Sequence, residues 1–205
     1  IENYIPAVAE LTRRGCFAFR MGAVVNRPLE QTNPMIIDYA ANGSRTDFLD
    51  IYLAAKCRFF IGDTAGIYAV PAIFRRPIAF ANFIPLEHAH TWGQNDLFIP
   101  KLLWLRGESR FLTFKEIFDN GIGRFLEADQ YERMGIDSIE NTPEDIAALV
   151  VEVDERLRGT WKSTPEDEEL QRRFWSLFNP SELHGEKMVS RIGADFLRTY
   201  RDLLD

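Results

Sequence analysis

Residues 57–85, CRFFIGDTAGIYAVPAIFRRPIAFANFIP, decide the fold of this chain. Residues 58–61 form an apolar and aromatic run of the kind found in buried strands, and residues 77–83 form a second one. Between them, a turn of small residues leads into an apolar helix at residues 67–74. A strand–helix–strand unit of this kind builds a parallel sheet. We therefore predict an α/β fold centred on this unit.

The turn between the first strand and the helix is the first candidate site. Open α/β sheets bind ligands at the carboxyl ends of their strands, and the first amides of a helix favour an anion. We therefore predict that a phosphate-bearing ligand is held by Asp63, Thr64, Ala65 and Gly66, which we call the 63–66 turn. The alternative is an ordinary turn in which Asp63 or Thr64 caps the helix. The turn matches neither the P-loop nor the GxGxxG pattern.

Three further residues are predicted to lie near this ligand. Arg20 interrupts an apolar strand near its carboxyl end and is predicted to face the anion; its alternative is an ion pair with Asp38 or Asp63. Gly22 follows that strand, and Asn82 lies near the end of the strand after the turn. We predict that Gly22 and Asn82 contact another part of the phosphate-bearing ligand, a nucleotide or a sugar. The alternative for Asn82 is a residue that merely starts a loop.

The loop at residues 86–94 holds the remaining polar candidates. Glu87 and His88 are weak candidates for a catalytic role near the substrate. His88 and His90 form a His-x-His pair, but no Cys or His cluster accompanies them, so we predict no metal site. The sequence also has no GxSxG elbow, which argues against a Ser-His-Asp hydrolase.

Composition excludes several classes of protein. The chain has 205 residues, 46% of them hydrophobic, and 16 are Phe, which indicates a globular protein with an aromatic core. Its net charge of -7 argues against broad nucleic-acid binding. No stretch is long and apolar enough to span a bilayer. Cys16 and Cys57 are the only cysteines, and we expect them to be free thiols in a reducing, cytoplasmic compartment.

The pattern changes near residue 110. Residues 1–110 are predicted to form the α/β domain, and residues 111–205 a helical extension packed on it, ending in a helix at residues 188–204. Helix starts are predicted at Thr113, Thr142 and Thr164, and a capping box begins an earlier helix at Ser44. That helix is predicted to bury Phe48, Ile51, Tyr52 and Ala55.

The chain resembles bacterial glycosyltransferases of the two-lobed GT-B type. The similarity lies in YIPAVAELTRRGCFAFRMG, IIDYA, DFLDIYLAAKCRFFIGDTAG and PAIFRRPIAFANFIPL, within residues 1–110. The 63–66 turn is similar to the donor-diphosphate turn of heptosyltransferases and fucosyltransferase-like enzymes. Heptosyltransferases carry Pro and then His after the glycine, whereas Ile67 and Tyr68 follow here.

The resemblance implies a Rossmann-like, metal-independent donor lobe that binds a nucleotide-diphosphate sugar without a cofactor. Such enzymes act in the synthesis of cell-surface polysaccharides or glycoconjugates. The chain starts at Ile1, within a predicted helix. We therefore expect a fragment that lacks the N-terminal acceptor lobe and the first strand, and that is inactive alone. The alternatives are a nucleotide-sugar epimerase and a non-catalytic Rossmann-like binding module.

Overall fold

The computed structural model describes residues 1–89, 93, 95–177 and 190–205. In chain order the strands are β1 (Ala18–Phe19), β2 (Ile36–Ile37), β3 (Phe60–Gly62), β4 (Ile78–Phe83), β5 (Leu97–Pro100), β6 (Leu102–Leu105), β7 (Arg110–Phe111), β8 (Ile136–Ile139) and β9 (Arg191–Ile192). The helices are α1 (Ile5–Arg13), α2 (Asp47–Lys56), α3 (Ala69–Ile73), α4 (Phe114–Asp119), α5 (Ala128–Arg133), α6 (Pro143–Arg158), α7 (Pro165–Leu177) and α8 (Ala194–Thr199).

The central sheet is parallel and has the strand order β3-β4-β5-β9. Every residue of β4 is buried, as expected for a strand with both faces covered. β1 and β2 form a separate parallel pair, and β6 pairs with β7 and β8 in an antiparallel sheet. The prediction of an α/β fold with a parallel sheet flanked by helices is confirmed, including both strands of the central unit.

The core is built on aromatic side chains, as the composition indicates. Phe83 and Phe98 lie on the central sheet, with ring centroids 5.3 Å apart. Phe98 also contacts Phe174 of α7, which meets Phe114 of α4 edge to face at 5.1 Å. Such tilted ring pairs add stability beyond their buried area. The rings therefore join the central sheet to helices that lie beyond residue 110.

The region after residue 110 contains strands as well as helices. β9 pairs with β5, and Gly193 donates its amide to the Phe98 carbonyl at 2.9 Å, so this segment extends the central sheet. The predicted helix at 188–204 is wrong within the described residues: β9, α8 and a 3₁₀ turn at Arg201–Leu204 replace it, and Met188 lies outside them. A single buried hydrophobic cluster contains residues that come before residue 110 in the sequence and residues that come after it. The domain boundary at that residue stays a prediction.

The predicted helix starts are confirmed at three of four positions. Thr113 and Thr142 each accept a hydrogen bond from the amide three residues on, and Thr164 does so from Asp167. The fourth prediction is wrong, because α2 begins after Thr46, whose hydroxyl accepts from Leu49. Ser44 instead hydrogen-bonds to Asn42.

The predicted buried face of α2 is confirmed for Ala55 and wrong for the other three residues. Phe48, Ile51 and Tyr52 are exposed, and the buried residues of this helix are Ala54 and Ala55. The periodicity gives the correct apolar stripe, but the stripe faces outward. The reason is that packing against the rest of the domain uses the side that carries the alanines.

Candidate functional site

The 63–66 turn lies at the carboxyl edge of the central sheet. It directly follows β3, which runs parallel to β4 with Gly62 opposite Phe80. The Thr64 hydroxyl donates to the Ile84 carbonyl at 3.0 Å, which ties the turn to the end of β4. Asp63, Ala65 and Gly66 are exposed. The turn therefore occupies the edge at which parallel α/β sheets bind ligands.

One main-chain amide of the turn has its partner within the turn, and the next two open the helical segment that follows. Ala65 donates its amide to Asp63 Oδ1 at 2.9 Å, so Asp63 shapes the turn. Neither Asp63 nor Thr64 caps the segment that follows, whose N-cap is Ala65, so the alternative interpretation is wrong on the cap. Gly66 opens a 3₁₀ segment, Gly66–Tyr68, which runs into α3. The amides of Gly66 and Ile67 open this segment and so have no intrahelical acceptor.

The helix that follows the turn is short. The 3₁₀ segment has three residues and α3 has five. A helix macrodipole needs several aligned turns, so the helix dipole contributes little to anion binding here. The groups that remain for an anion are the individual amides of the turn.

Space beside Gly66 is open. A β-carbon built on Gly66 meets no heavy atom within 4 Å, and its backbone needs no positive φ. The glycine is therefore not required by the fold at this position. Its absence of a side chain leaves the turn accessible from solvent.

Arg20 is engaged in an intramolecular contact. Its guanidinium lies 3.4 Å from Asp38 Oδ2 and donates to the Arg27 carbonyl at 2.8 Å. This is the ion pair with Asp38 that the sequence analysis gave as the alternative. Gly22 has φ 157°, and a β-carbon there would come within 3.2 Å of the Val25 side chain. Backbone geometry and packing account for that glycine without a ligand.

Asn82 lies in a buried amide network. Its backbone amide donates to Asn141 Oδ1, and the Asn141 amide donates to Asn82 Oδ1, each at 2.6 Å. Asn82 Nδ2 donates to the Tyr4 hydroxyl at 3.3 Å, and Asn141 Nδ2 donates to the Pro100 carbonyl. Asn82 also has φ 55°, a conformation that asparagine tolerates better than most residues. The side chain is thus used in holding β4 to the start of α6.

Tyr4 is a further polar residue of this edge. Burial raises the pKa of its hydroxyl, the hydrogen bond from Asn82 lowers it, and the negative charges of Asp63 and Glu140 raise it. The hydrogen bond from Asn82 Nδ2 at 3.3 Å places the Tyr4 hydroxyl beside the end of β4. Only the packing of the N-terminal segment against β4 reveals this, so no local sequence signal could have found it.

Glu87 lies in a 3₁₀ turn, Leu86–His88, that follows β4. Its Oε2 accepts from Arg124 Nε at 2.7 Å, and its buried Oε1 has no hydrogen-bond partner within the described chain. A β-carbon on Gly123 would clash with this carboxylate at 2.8 Å, so the two segments lie in close contact. His88 is half-buried beside it, and His90 lies outside the described residues.

Other features of the described residues lie away from the turn. A surface cavity of about 180 Å³ is lined by residues of the N-terminal segment and of the loop before β2, which are Ile1, Glu2, Ile5, Arg27, Pro28, Leu29 and Glu30. Among the residues that the structure covers, no group of three or more His, Cys, Asp or Glu is placed to hold a metal ion. No described helix combines the length and the apolar character that crossing a membrane requires.

Comparison with known proteins gives no match to a protein family, to a curated protein or to a solved structure. The geometry of the carboxyl edge is therefore the basis for any statement about function. The resemblance to GT-B glycosyltransferases stays a prediction.

Proposed function

We propose that this chain is the donor-binding lobe of a bacterial glycosyltransferase and binds the diphosphate of a nucleotide sugar at the 63–66 turn. The observation that carries the proposal is an exposed turn at the carboxyl edge of a parallel sheet, where Gly66 leaves the main chain accessible. The amides of Gly66 and Ile67 have no intrahelical acceptor and suit phosphate oxygens.

In this proposal the turn stabilises the leaving group of the transfer reaction. When the bond between the sugar and the diphosphate breaks, negative charge develops on the departing phosphate. Fixed amide donors stabilise such charge without needing to reorient. The amides act as the main contacts, because Arg20 is held by Asp38. Glu87 has a positioning role in this proposal. Its contact with Arg124 joins the loop after β4 to the segment around Gly123.

Calorimetric titration with UDP, GDP, ADP and CMP tests the proposal. We expect heat with the diphosphates and less with CMP, because the turn is proposed to hold two phosphates. Replacing Gly66→Leu fills the open space and is expected to weaken binding at least tenfold. Gly107→Leu is the matched control, since Gly107 has equally open surroundings and lies elsewhere. Equal nucleotide affinities of the two variants would count against the 63–66 turn as the binding site.

A non-catalytic binding module is the second candidate, favoured by a specific observation. Arg20 and Asn82, two of the predicted ligand contacts, are used in intramolecular contacts. The absence of heat with every nucleotide at millimolar concentration would favour this second function. An epimerase would instead be recognised by product analysis with a full-length protein, since it releases an altered nucleotide sugar rather than transferring the sugar.

A further inference from the structure

The ends of α2 and α3 meet at the amino edge of the central sheet. α2 ends shortly before β3 and α3 ends shortly before β4, so both helix ends lie where these parallel strands begin. The Nε of Arg76, after α3, donates to the carbonyl of Ala55, near the end of α2, at 2.7 Å. This hydrogen bond joins the two ends into one surface, at the edge opposite the 63–66 turn.

Two apolar side chains are exposed at the end of α3. Ile73 is 76% exposed and Phe74 is 51% exposed. A fully exposed large apolar side chain presents about 200 Å², so the two contribute about 250 Å² of apolar surface. An area of this size occurs on ordinary monomers, so the apolar surface alone does not identify a partner. The charges beside it do.

Three cationic side chains lie at the same helix ends. Lys56 is the last residue of α2, and Arg75 and Arg76 follow Phe74. In the part of the chain that the structure describes, 18 Lys and Arg side chains form ion pairs, five do not, and these three are among the five. Unpaired cations are therefore concentrated at this surface.

The sequence around these cations is nearly free of acids. Residues 51–86 contain four cations and one acid, Asp63, which belongs to the opposite edge. The fourth cation, Arg58, lies 3.1 Å from the buried carboxylate of Asp154. The helix ends therefore carry positive charge in a chain whose net charge is -7. We call five side chains of this surface the basic corner: Lys56, Ile73, Phe74, Arg75 and Arg76.

We propose that the basic corner binds the surface of an anionic lipid bilayer. Its three cations face the lipid phosphates, and Ile73 and Phe74 enter the boundary between the headgroups and the acyl chains. An apolar contact and a cationic one together give a reversible binding that is stronger than either gives alone. The proposal does not depend on nucleotide binding, because contact at the amino edge leaves the 63–66 turn open to solvent.

The shape of the basic corner favours a bilayer over other anionic partners. Ile73 and Phe74 are consecutive residues at the end of a five-residue helix, so they form no extended face for the helix or strand of a protein partner. Protein interfaces need a complementary shape, whereas a bilayer accepts protruding side chains without one. Nucleic acid would engage the cations and leave the exposed Ile73 without a contact.

Arg75 allows binding to be separated from stability. Its φ of 54° lies in the left-handed region, and it directly follows the end of α3, where glycine is favoured. The next amide, of Arg76, donates to the Pro71 carbonyl, which completes the usual helix-ending turn. Arg75→Gly therefore relieves the backbone while it removes one charge. We expect this variant to be at least as stable as the original and to bind lipid less well.

Sedimentation of the chain with lipid vesicles tests the proposal. We expect binding to phosphatidylcholine vesicles that contain about 30% phosphatidylglycerol, none to phosphatidylcholine alone, and a loss of binding as salt rises. Lys56→Gln and Arg75→Gly should each weaken binding about fivefold, and Ile73→Ser about tenfold. Lys101→Gln and Leu126→Ser are the matched controls, because Lys101 is also unpaired but follows β5 at the carboxyl edge, and Leu126 is 69% exposed outside the corner.

The outcomes separate lipid from other sources of negative charge. No binding to anionic vesicles, equal binding to neutral ones, or binding indifferent to Ile73→Ser and Lys56→Gln would overturn the proposal. Displacement by inorganic phosphate at the concentration of the lipid phosphate would indicate a free-anion site instead. Binding of soluble polyglutamate without binding of vesicles would indicate an acidic protein partner and would also overturn it. Nucleotide affinity should be unchanged in these variants, so a failure here is distinguishable from a failure of the proposed function.

Discussion

Two aspartates at opposite edges of the central sheet make the same hydrogen bond in different surroundings. Asp63, at the carboxyl edge, accepts the amide of Ala65 at 2.9 Å and is exposed. Asp96, at the amino edge, accepts the amide of Ile78 at 2.8 Å and is only 4% exposed. Burial raises the pKa of Asp96 to about 6.

This difference separates the proposed ligand edge from a structural edge. A buried carboxylate that caps the first residue of β4 holds the sheet together, and its perturbed pKa follows from that location. An exposed carboxylate that shapes an open turn leaves neighbouring amides accessible. Burial and a raised pKa therefore distinguish Asp96 at the amino edge, whereas accessibility distinguishes Asp63 at the carboxyl edge.

The largest expected effect concerns the buried network behind the carboxyl edge. Asn82→Ala removes the acceptor of the Asn141 amide and puts alanine at φ 55°. Both changes are unfavourable, and we expect the free energy of unfolding to fall by about 3 kcal/mol. Urea denaturation measures this, with Asn42→Ala in an exposed turn as the control.

The same variant tests whether the Asn82 side chain belongs to the proposed ligand site. Because the Asn82 side chain is buried and hydrogen-bonded, nucleotide affinity of the folded variant should stay within about threefold of the original. A loss greater than tenfold in a variant that remains folded would support the sequence prediction that Asn82 contacts the ligand.

The next effect is the pH dependence that Asp96 causes. Its pKa is about 6 in the folded chain and near 3.8 when unfolded, so the folded state retains a proton that the unfolded state releases. This contribution makes unfolding easier as the pH rises from about 4 to about 6. Asp96→Asn keeps an acceptor for Ile78 and removes the buried charge. We expect it to be about 2 kcal/mol more stable than the original at pH 7 and equal to it near pH 4.

Asp63→Asn is the control for that measurement. Asp63 is exposed, so its replacement should change the free energy of unfolding by less than about 0.5 kcal/mol. Thermal or urea denaturation of both variants at pH 7 gives the two changes. If Asp63→Asn changed the free energy of unfolding more than Asp96→Asn does, the contrast between the two edges would be incorrect.

The smallest expected effect is on ligand affinity at the carboxyl edge. Asp63→Asn keeps an oxygen for the Ala65 amide and removes a negative charge beside the proposed phosphate site. Affinity for a nucleoside diphosphate should rise about threefold, and the gain should shrink in high salt. Calorimetry measures this change. Weaker binding by the variant would indicate that Asp63 contacts the ligand directly.

The structural features that the sequence predicts correctly are those that local interactions determine. The strands on either side of the 63–66 turn follow from apolar runs, and the caps at Thr113, Thr142 and Thr164 follow from residues three positions apart. The position of the turn at the carboxyl edge follows from the chain order of strand and helix. These features need no knowledge of distant contacts.

Long-range contacts determine the features that the sequence did not predict. Asn82 pairs with Asn141, 59 positions away, and β5 pairs with β9 across almost half of the chain. Periodicity identifies the apolar stripe of α2, but only the packing of neighbouring elements decides whether that stripe is covered. The sequence leaves open whether Arg20 faces an anion or pairs with an aspartate. The contact with Asp38 depends on the loop before β2, whose Arg27 carbonyl accepts from the same guanidinium.

The central claim is that main-chain amides of the 63–66 turn hold a diphosphate, and amide proton–nitrogen correlation spectra test it most directly. On titration with UDP or GDP to about 1 mM, we predict that the largest shifts belong to the amides of Thr64, Gly66 and Ile67, while the amide of Ile78 at the amino edge stays unchanged. No shift with any nucleoside diphosphate, or largest shifts at the amino edge, would contradict the claim.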